Sequence, residues 1–509
     1  MSFVACSSKS GGATKEDSGT GGGEDAGVDQ GSPTVKDSGP SKDTGSSKDT
    51  GPAKDAPVAK DAPSTKDVET KDVETKDVET TDAEKTDAEK TDAETDAAKD
   101  SGHDAHDAAM AAAVQNYFMG RWDTSAVTMA NEASGIGAVA EWAGSGIITT
   151  FTGPNFTIEL NETCAASIGS PALAQCDSVA LELDGKPVSA TAGLTITLNT
   201  VTASMADITN NQFTLAAGMN TITVSGIGTG THTLGTYKNT DPTLGGTYSL
   251  VKFVPAANGT NPAASYSFAH HIEWIGDDDM AGVGALNDTT CSKYGTNTSN
   301  SIEYQSAARI VSEYFNAERQ NLSFANVGVY ESDPPSAMGG PAEYASWYPL
   351  VVPDQAMSVW NFANFDADLV VVDIGGFTDF DNVTADTSGM PSTITPTGFV
   401  AGYEGALETL LTTIRSKHAS AFILVTIGPA FGGNIQPADA NTIVQAAVTN
   451  RLGSGETSST MAFLAGTTTG YSYAGCDARA AQGDQQTLAT ALENQIKTSL
   501  NWTAATFNP

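Results

Sequence analysis

The sequence predicts two folded domains of different class behind a disordered acidic tail: an antiparallel β-sandwich, then a doubly wound α/β domain with a parallel sheet. Three observations carry this. Residues 1–110 contain a single aromatic residue, Phe3. From 111 to 265, short runs alternate apolar and polar residues and are broken by Gly, Asn and Asp, which is the period of half-buried strands. From 266 to 509, wholly apolar runs of strand length alternate with helical stretches, the pattern of a parallel sheet covered on both faces. A length of 509 residues also exceeds what one core usually serves.

In the tail, Lys66-Asp-Val-Glu-Thr70 recurs at 71–75 and 76–80, and Thr81-Asp-Ala-Glu-Lys85 recurs at 86–90. A five-residue period matches neither helix nor strand, and Val and Ala alone bury too little apolar area to offset chain entropy. Residues 1–110 hold 13 Lys and 26 Asp or Glu, leaving 12 Lys or Arg against 35 acids in the remainder, with a net charge of −36 overall. Both parts are acidic, which argues against nucleic acid or anionic lipid head groups as partners. Phe3-Val-Ala-Cys6, followed by Ser-Ser-Lys-Ser-Gly-Gly, resembles a bacterial lipobox, although the charged and apolar regions of a signal peptide are missing upstream. Either the start is assigned too late or Cys6 is an ordinary tail cysteine. The lipobox reading implies a lipid anchor through Cys6, a location at the bacterial outer membrane or cell surface, and a tether reaching about 50–60 Å.

The sandwich strands are expected at Gly146–Phe151, Phe156–Leu160, Val179–Leu183, Leu194–Leu198, Thr221–Val224 and Tyr248–Phe253, with a turn at Asp184-Gly185; a jelly roll of about eight strands is the predicted arrangement. In the α/β domain, strands are expected at Ile272–Ile275, Phe324–Val329, Leu369–Ile374 and Phe422–Ile427. Helices are expected at Ser301–Glu318, Pro396–Lys417, Ala438–Leu452 and Gln485–Leu500. A ligand site belongs beyond the carboxyl ends of such strands.

The segment His271-Ile-Glu-Trp-Ile-Gly-Asp-Asp-Asp-Met-Ala-Gly-Val-Gly284 resembles the first block of the SGNH (GDSL-type) hydrolases, in which a strand ends in Gly-Asp-Ser and the serine is the nucleophile. Gly475-Cys-Asp-Ala-Arg-Ala480 resembles their last block, whose histidine is the general base. Further matches run through both domains in order: Gly120-Arg-Trp122, Glu141-Trp-Ala-Gly-Ser145 and Leu183-Asp-Gly-Lys186, then Glu303–Arg309, Trp360–Val370, Tyr403 and Ile414-Arg415. Residues 115–505 as a whole resemble carbohydrate esterase family 2, whose members carry a jelly roll before an SGNH-hydrolase α/β domain and deacetylate plant polysaccharides. Polysaccharide is the partner this resemblance implies.

By the same resemblance, Asp278 stands at the serine position and Arg479 at the histidine position, with Asp477 beside it. A shifted alignment restores neither. No serine or cysteine lies between Ser267 and Cys291, and no histidine follows His418. The block Gly375-Gly-Phe-Thr-Asp-Phe380 has one extra residue and lacks the asparagine that would donate to an oxyanion. The backbone N–H of Asn326 is the surviving donor. An aspartate nucleophile would need a base to activate water, and a guanidinium stays protonated. Such a carboxylate would also repel a developing oxyanion by about 4 kcal/mol at 4 Å. The complementary charges of Asp278 and Arg479 suggest a direct ion pair.

The resemblance brings the loops of Cys291 and Cys476 to one cleft, so a Cys291–Cys476 bridge at its rim and a local Cys164–Cys176 bridge are favoured among three possible pairings. Asp277, Asp278 and Asp279 point in different directions on an extended chain, so no metal is expected there, and no cofactor. Trp347 and Tyr348 follow a Pro/Gly-rich loop and are candidates for stacking on a sugar, whereas Trp360 reads as core. A monomer is expected. The favoured function is a surface-anchored, esterase-like lipoprotein that is inactive or impaired and serves as a carbohydrate-binding or structural module. The alternative is an active polysaccharide deacetylase.

Overall fold

The computed structural model describes residues 115–507 except 126–136, 168–169, 192, 202, 204, 243–245, 287–300, 331, 333–343, 354–356, 377, 383–395, 429–436, 468 and 477–478. The acidic repeats, Cys6, Cys291 and Asp477 lie outside the described residues.

The first domain is built from two antiparallel sheets. One has the order Asn116–Met119, Gly146–Thr152, Thr231–Lys238, Ser178–Leu183, Phe213–Thr214, with Lys186–Pro187 also paired to Ser178–Leu183. The other runs Val139–Ala140, Thr247–Pro255, Asn155–Thr163, Gly218–Ser225, Thr195–Asn199. Five of the six expected runs fall within strands, and the sixth, Leu194–Leu198, is offset by one residue from Thr195–Asn199. In Asn155–Thr163 every second residue, Phe156, Ile158, Leu160 and Glu162, is buried, so a slip of one residue would turn three apolar side chains to solvent. Phe151, Leu181 and Leu234 from one sheet share a core with Phe156, Ile158, Ile222 and Leu250 from the other. Asp184 and Gly185 both take positive φ, 51° and 72°, as a two-residue hairpin turn requires.

The second domain contains a five-stranded, all-parallel sheet in the order Ala317–Asn321, His270–Gly276, Leu369–Asp373, Phe422–Thr426, Met461–Leu464. Alternation within each strand splits the core in two. Val370, Val372, Ile423 and Val425 pack with the helices Pro396–Lys417 and Pro437–Gly453, while Ile272, Trp274, Val371 and Leu424 pack with Ala307–Tyr314 and Gln482–Leu500.

The strand expected at 324–329 is instead Ala317–Asn321, and 324–329 forms the loop beyond it. The sequence Ala-Glu-Arg-Gln-Asn carries no apolar signal, yet all five residues are buried. Their polar groups are satisfied individually. Arg319 pairs with Glu303 at 3.2 Å, Gln320 Oε1 accepts from Arg121 Nε at 3.2 Å, and Asn321 Nδ2 donates to the Met280 carbonyl at 2.9 Å. Arg121 comes from the sandwich, so this polar strand is one of the places where the sandwich and the α/β domain meet, as are Glu182 with Arg309 and Asp241 with Ala325. The helix expected over 301–318 is shortened to Ala307–Tyr314 for the same reason, and the strand Met461–Leu464, four residues long, was not anticipated.

Candidate active site

At the carboxyl end of His270–Gly276 the chain turns into the one-turn helix Asp278–Ala281, closed by Gly282 at φ 69°. Asp277, Asp278 and Asp279 are all buried there. Three adjacent acids in a low-dielectric site need separate compensation. Asp277 Oδ2 accepts from the Gly375 amide at 3.0 Å and the Thr378 hydroxyl at 3.4 Å. Asp278 Oδ1 accepts from Arg479 Nε at 2.6 Å, and its Oδ2 accepts from the Asn326 amide at 3.2 Å. The ion pair suggested by the complementary charges is therefore present, with both side chains buried.

Two glycines allow close approaches at this end of the sheet, one to Arg479 and one to the acids Asp279 and Asp373. Gly284, at φ 69°, passes so close to the last block that a Cβ would lie 2.8 Å from Arg479 Cδ and 3.0 Å from the Cys476 carbonyl. At Gly428 a Cβ would lie 2.4 Å from Asp279 Oδ2 and 3.2 Å from Asp373 Oδ2. Asp373, the last residue of its strand, is pushed up to about 7 by burial, against a backbone hydrogen bond from Gly428 that lowers it. Burial, and then the charges of Asp278, Asp373 and Asp279, raise the Asp277 carboxyl well above its ordinary value.

A raised carboxyl binds its proton more tightly in the folded chain. The contribution of Asp373 to stability is therefore fully present below about pH 4, its unfolded value, and is lost as pH rises through about 7. Asp373→Asn should flatten the stability profile between those limits by about 1.4 kcal/mol per pH unit. Urea unfolding at three pH values would check this, and an unchanged slope in the variant would refute the assignment.

Asn326, at φ 61°, sits in a loop whose amides are held by carboxylates. Asp241 Oδ2 accepts from the Ala325 amide at 2.6 Å, and Asp379 accepts from Val329 at 2.7 Å and Tyr330 at 2.8 Å. The donor expected to serve an oxyanion thus already serves the Asp278 carboxylate. Among the described residues that carboxylate's hydrogen-bond partners are a guanidinium and an amide, neither of which can act as a base. The arrangement can hold an anion, and the anion it holds is its own side chain.

The stacking candidates separate. Trp347 is part-buried and meets Phe324 edge-on, with ring centroids 4.3 Å apart. Tyr348 corrects the expectation: it is fully buried, and its hydroxyl donates to Glu273 Oε1 at 2.7 Å, so neither ring face is open to a sugar. Trp360 is part-buried, with the Arg121 guanidinium 5.3 Å from its ring centre. Cys164 and Cys176 form a disulfide, and Cys476 is also disulfide-bonded; Cys291, its expected partner, lies outside the described residues. Sequence reasoning missed Asp241 and Asp373. Asp373 left a trace as a carboxylate closing the apolar run Leu369-Val-Val-Val372, whereas Asp241 left none.

An antiparallel sandwich before a parallel sheet of order 2-1-3-4-5, with the first block at the end of the first strand of that sheet, defines the scaffold of an SGNH hydrolase. No family sequence model and no curated protein matches the chain. Solved structures do. A family two carbohydrate esterase from Clostridium thermocellum superposes with a TM-score of 0.59 at 21% identity, over 76% of this chain and 99% of that one. A family 2 esterase from Corynascus thermopiles (Myceliophthora fergusii) gives 0.56 at 18%, over 76% and 100%. The acetyl xylan esterase Est2A from the rumen bacterium Butyrivibrio proteoclasticus gives 0.58 at 15%, over 76% and 96%. The chain has the fold of the family 2 carbohydrate esterases across both domains.

Proposed function

We propose that this protein keeps the esterase scaffold without the esterase reaction and works as a carbohydrate-binding or structural module. One observation carries the reading: the Asp278 carboxylate, which the sequence resemblance puts at the nucleophile position, takes up both Arg479 and the Asn326 amide. Acyl transfer needs a nucleophile, a base and free donors at the oxyanion, and the described partners of Asp278, a guanidinium and an amide already engaged, favour the loss of that reaction. Polysaccharide is the ligand class favoured by analogy, since the Clostridium thermocellum structure is a complex with cellohexaose. Another structure of the fold is described as an esterase active site with divergent catalytic and non-catalytic binding functions. Part-buried Trp347 is the remaining stacking candidate. With the sandwich read as a jelly roll and Cys6 as a lipidated cysteine, the module would be a monomer displayed on a bacterial surface by its acidic tether.

The test is hydrolysis of 4-nitrophenyl acetate and acetylated xylan by the full chain, beside a variant carrying Asp278→Ser and Arg479→His. The expected result is no turnover above the buffer rate in the native chain, together with retention on polysaccharide in a glycan array. Turnover in the native chain that disappears in Asp278→Ala would establish an aspartate-based esterase instead.

A further inference from the structure

The sandwich carries a second cluster of reactive side chains. Asn155–Thr163 runs into Cys164, and Cys176 precedes Ser178–Leu183; between them Ala165–Ser167 and Ser170–Gln175 pair as a short antiparallel ribbon. The Cys164–Cys176 disulfide closes the base of that ribbon, with Cα atoms 4.3 Å apart. Stapling a ribbon needs no acid nearby. Yet Glu162, buried beneath the disulfide, places a carboxylate oxygen within 4.8 Å of both sulfurs.

That carboxylate is only half used. Its Oε1 accepts from the Asp177 amide at 3.0 Å, while its Oε2 is buried with no hydrogen-bond partner. Asp177, fully buried, gives its Oδ1 to Lys238 and the Thr240 hydroxyl, each at 2.6 Å, and its Oδ2 also lacks a partner. Burial and the neighbouring Asp177 carboxyl push Glu162 up to about 9, so a cation bound here would take the place of its proton. The sulfurs above it are part-exposed, so the site opens on the side of the cysteines.

In the disulfide neither sulfur carries thiolate charge, and two bonded sulfurs cannot both ligate one ion. Once separated they are two thiolates beside a carboxylate, a donor set suited to a tetrahedral, borderline-soft divalent cation of the zinc type. We propose that Glu162, Cys164 and Cys176 form a zinc-type metal site that reduction of the disulfide opens. A phosphine reductant attacks one sulfur and leaves with the oxygen of a water as phosphine oxide, and the two sulfurs take up two electrons and two protons as thiols. The metal then displaces both thiol protons, and the Glu162 carboxylate supplies the third ligand. With Asp177 Oδ1 held by Lys238, the fourth position falls to water on the exposed side.

The probe is Co²⁺, a spectroscopic stand-in for zinc, titrated into the full chain before and after phosphine reduction. Expected is one equivalent bound with a thiolate-to-cobalt charge-transfer band only after reduction, and displacement of that band by Zn²⁺. Cys164→Ser should abolish the band, Glu162→Gln should weaken Co²⁺ binding at least about 10-fold by loss of one ligand, and Cys476→Ser should leave it unchanged. No band in the reduced chain, or a band that survives Cys164→Ser, overturns the proposal. So does loss of the sandwich's circular dichroism on reduction, because the site needs Glu162 held in its strand.

Discussion

Asp278→Ala is expected to lower the unfolding free energy by about 3–5 kcal/mol, because it leaves the buried guanidinium of Arg479 without its anion. The variant also frees the Asn326 amide, so the cost includes an unpaired donor in the loop. A small cavity lined by a guanidinium and an amide should accept a small carboxylate. Formate or acetate should therefore restore part of the lost stability, with formate the better fit for the volume removed. Urea unfolding with and without formate, using chloride at matched ionic strength as control, measures both effects. A loss below about 1 kcal/mol would place the pair among ordinary surface contacts and remove its structural role. A full loss with no response to formate would mean that the loop collapses when its carboxylate is taken away. The double variant Asp278→Leu with Arg479→Met should be far milder, since replacing both members of a buried pair with apolar groups is often neutral or stabilising.

The sandwich strands were legible because buried positions alternate, as in Asn155–Thr163, and the strands Leu369–Asp373 and Phe422–Thr426 because their first four residues are all apolar. The helix Pro396–Lys417 was legible at both ends. The strand Ala317–Asn321 was not, because its burial is stabilised by partners far away in sequence. A run of Glu, Arg, Gln and Asn carries no periodic signal for a core position until Arg121 and Glu303 are known to meet it. Apolar Phe324 and Val327 drew the assignment to the neighbouring loop, where they are buried as irregular chain. The same asymmetry holds in the site. Asp278 and Arg479 stood out against a sequence pattern, and their pairing followed from opposite charge. The carboxylates of Asp241 and Asp379, which hold the loop beside them, are ordinary acids in the sequence and acquire their role from contacts across dozens of residues. Tyr348 was misjudged because a loop position argued for exposure, while its hydroxyl is needed by a buried glutamate.

That glutamate, Glu273, anchors the second large expected effect. Arg121 of the sandwich reaches it at 3.1 Å in the strand His270–Gly276 of the other domain, both side chains fully buried, and also donates to the carbonyls of Tyr348 and Leu350. Burial by itself would raise the Glu273 carboxyl, but hydrogen bonds from His418 and Tyr348 and the charges of Arg121 and His418 outweigh it and hold it below the ordinary value. A carboxyl lowered in the folded state contributes stability that is present above its unfolded value and lost as the pH falls through the folded one. Arg121→Ala removes the chief cation facing Glu273, and should cost about 3–5 kcal/mol at neutral pH. It should also move acid unfolding to higher pH, because less stability remains to be lost, while the contribution of Glu273 itself becomes less pH-dependent as its folded value approaches the unfolded one. Glu273→Gln keeps the Tyr348 hydrogen bond but leaves the buried Arg121 guanidinium without its anion, so its cost should be of similar size. Acid titration followed by near-ultraviolet circular dichroism, beside urea unfolding at neutral pH, separates the two consequences. If Arg121→Ala unfolds at the same pH as the native chain, the interdomain pair does not set the acid limit, and His418 and Tyr348 suffice to hold Glu273 ionised. A shallower loss of stability with falling pH in the variant would instead mean that one arginine, read from the sequence only as part of Gly120-Arg-Trp122, couples the ionisation of the α/β sheet to the docking of the sandwich.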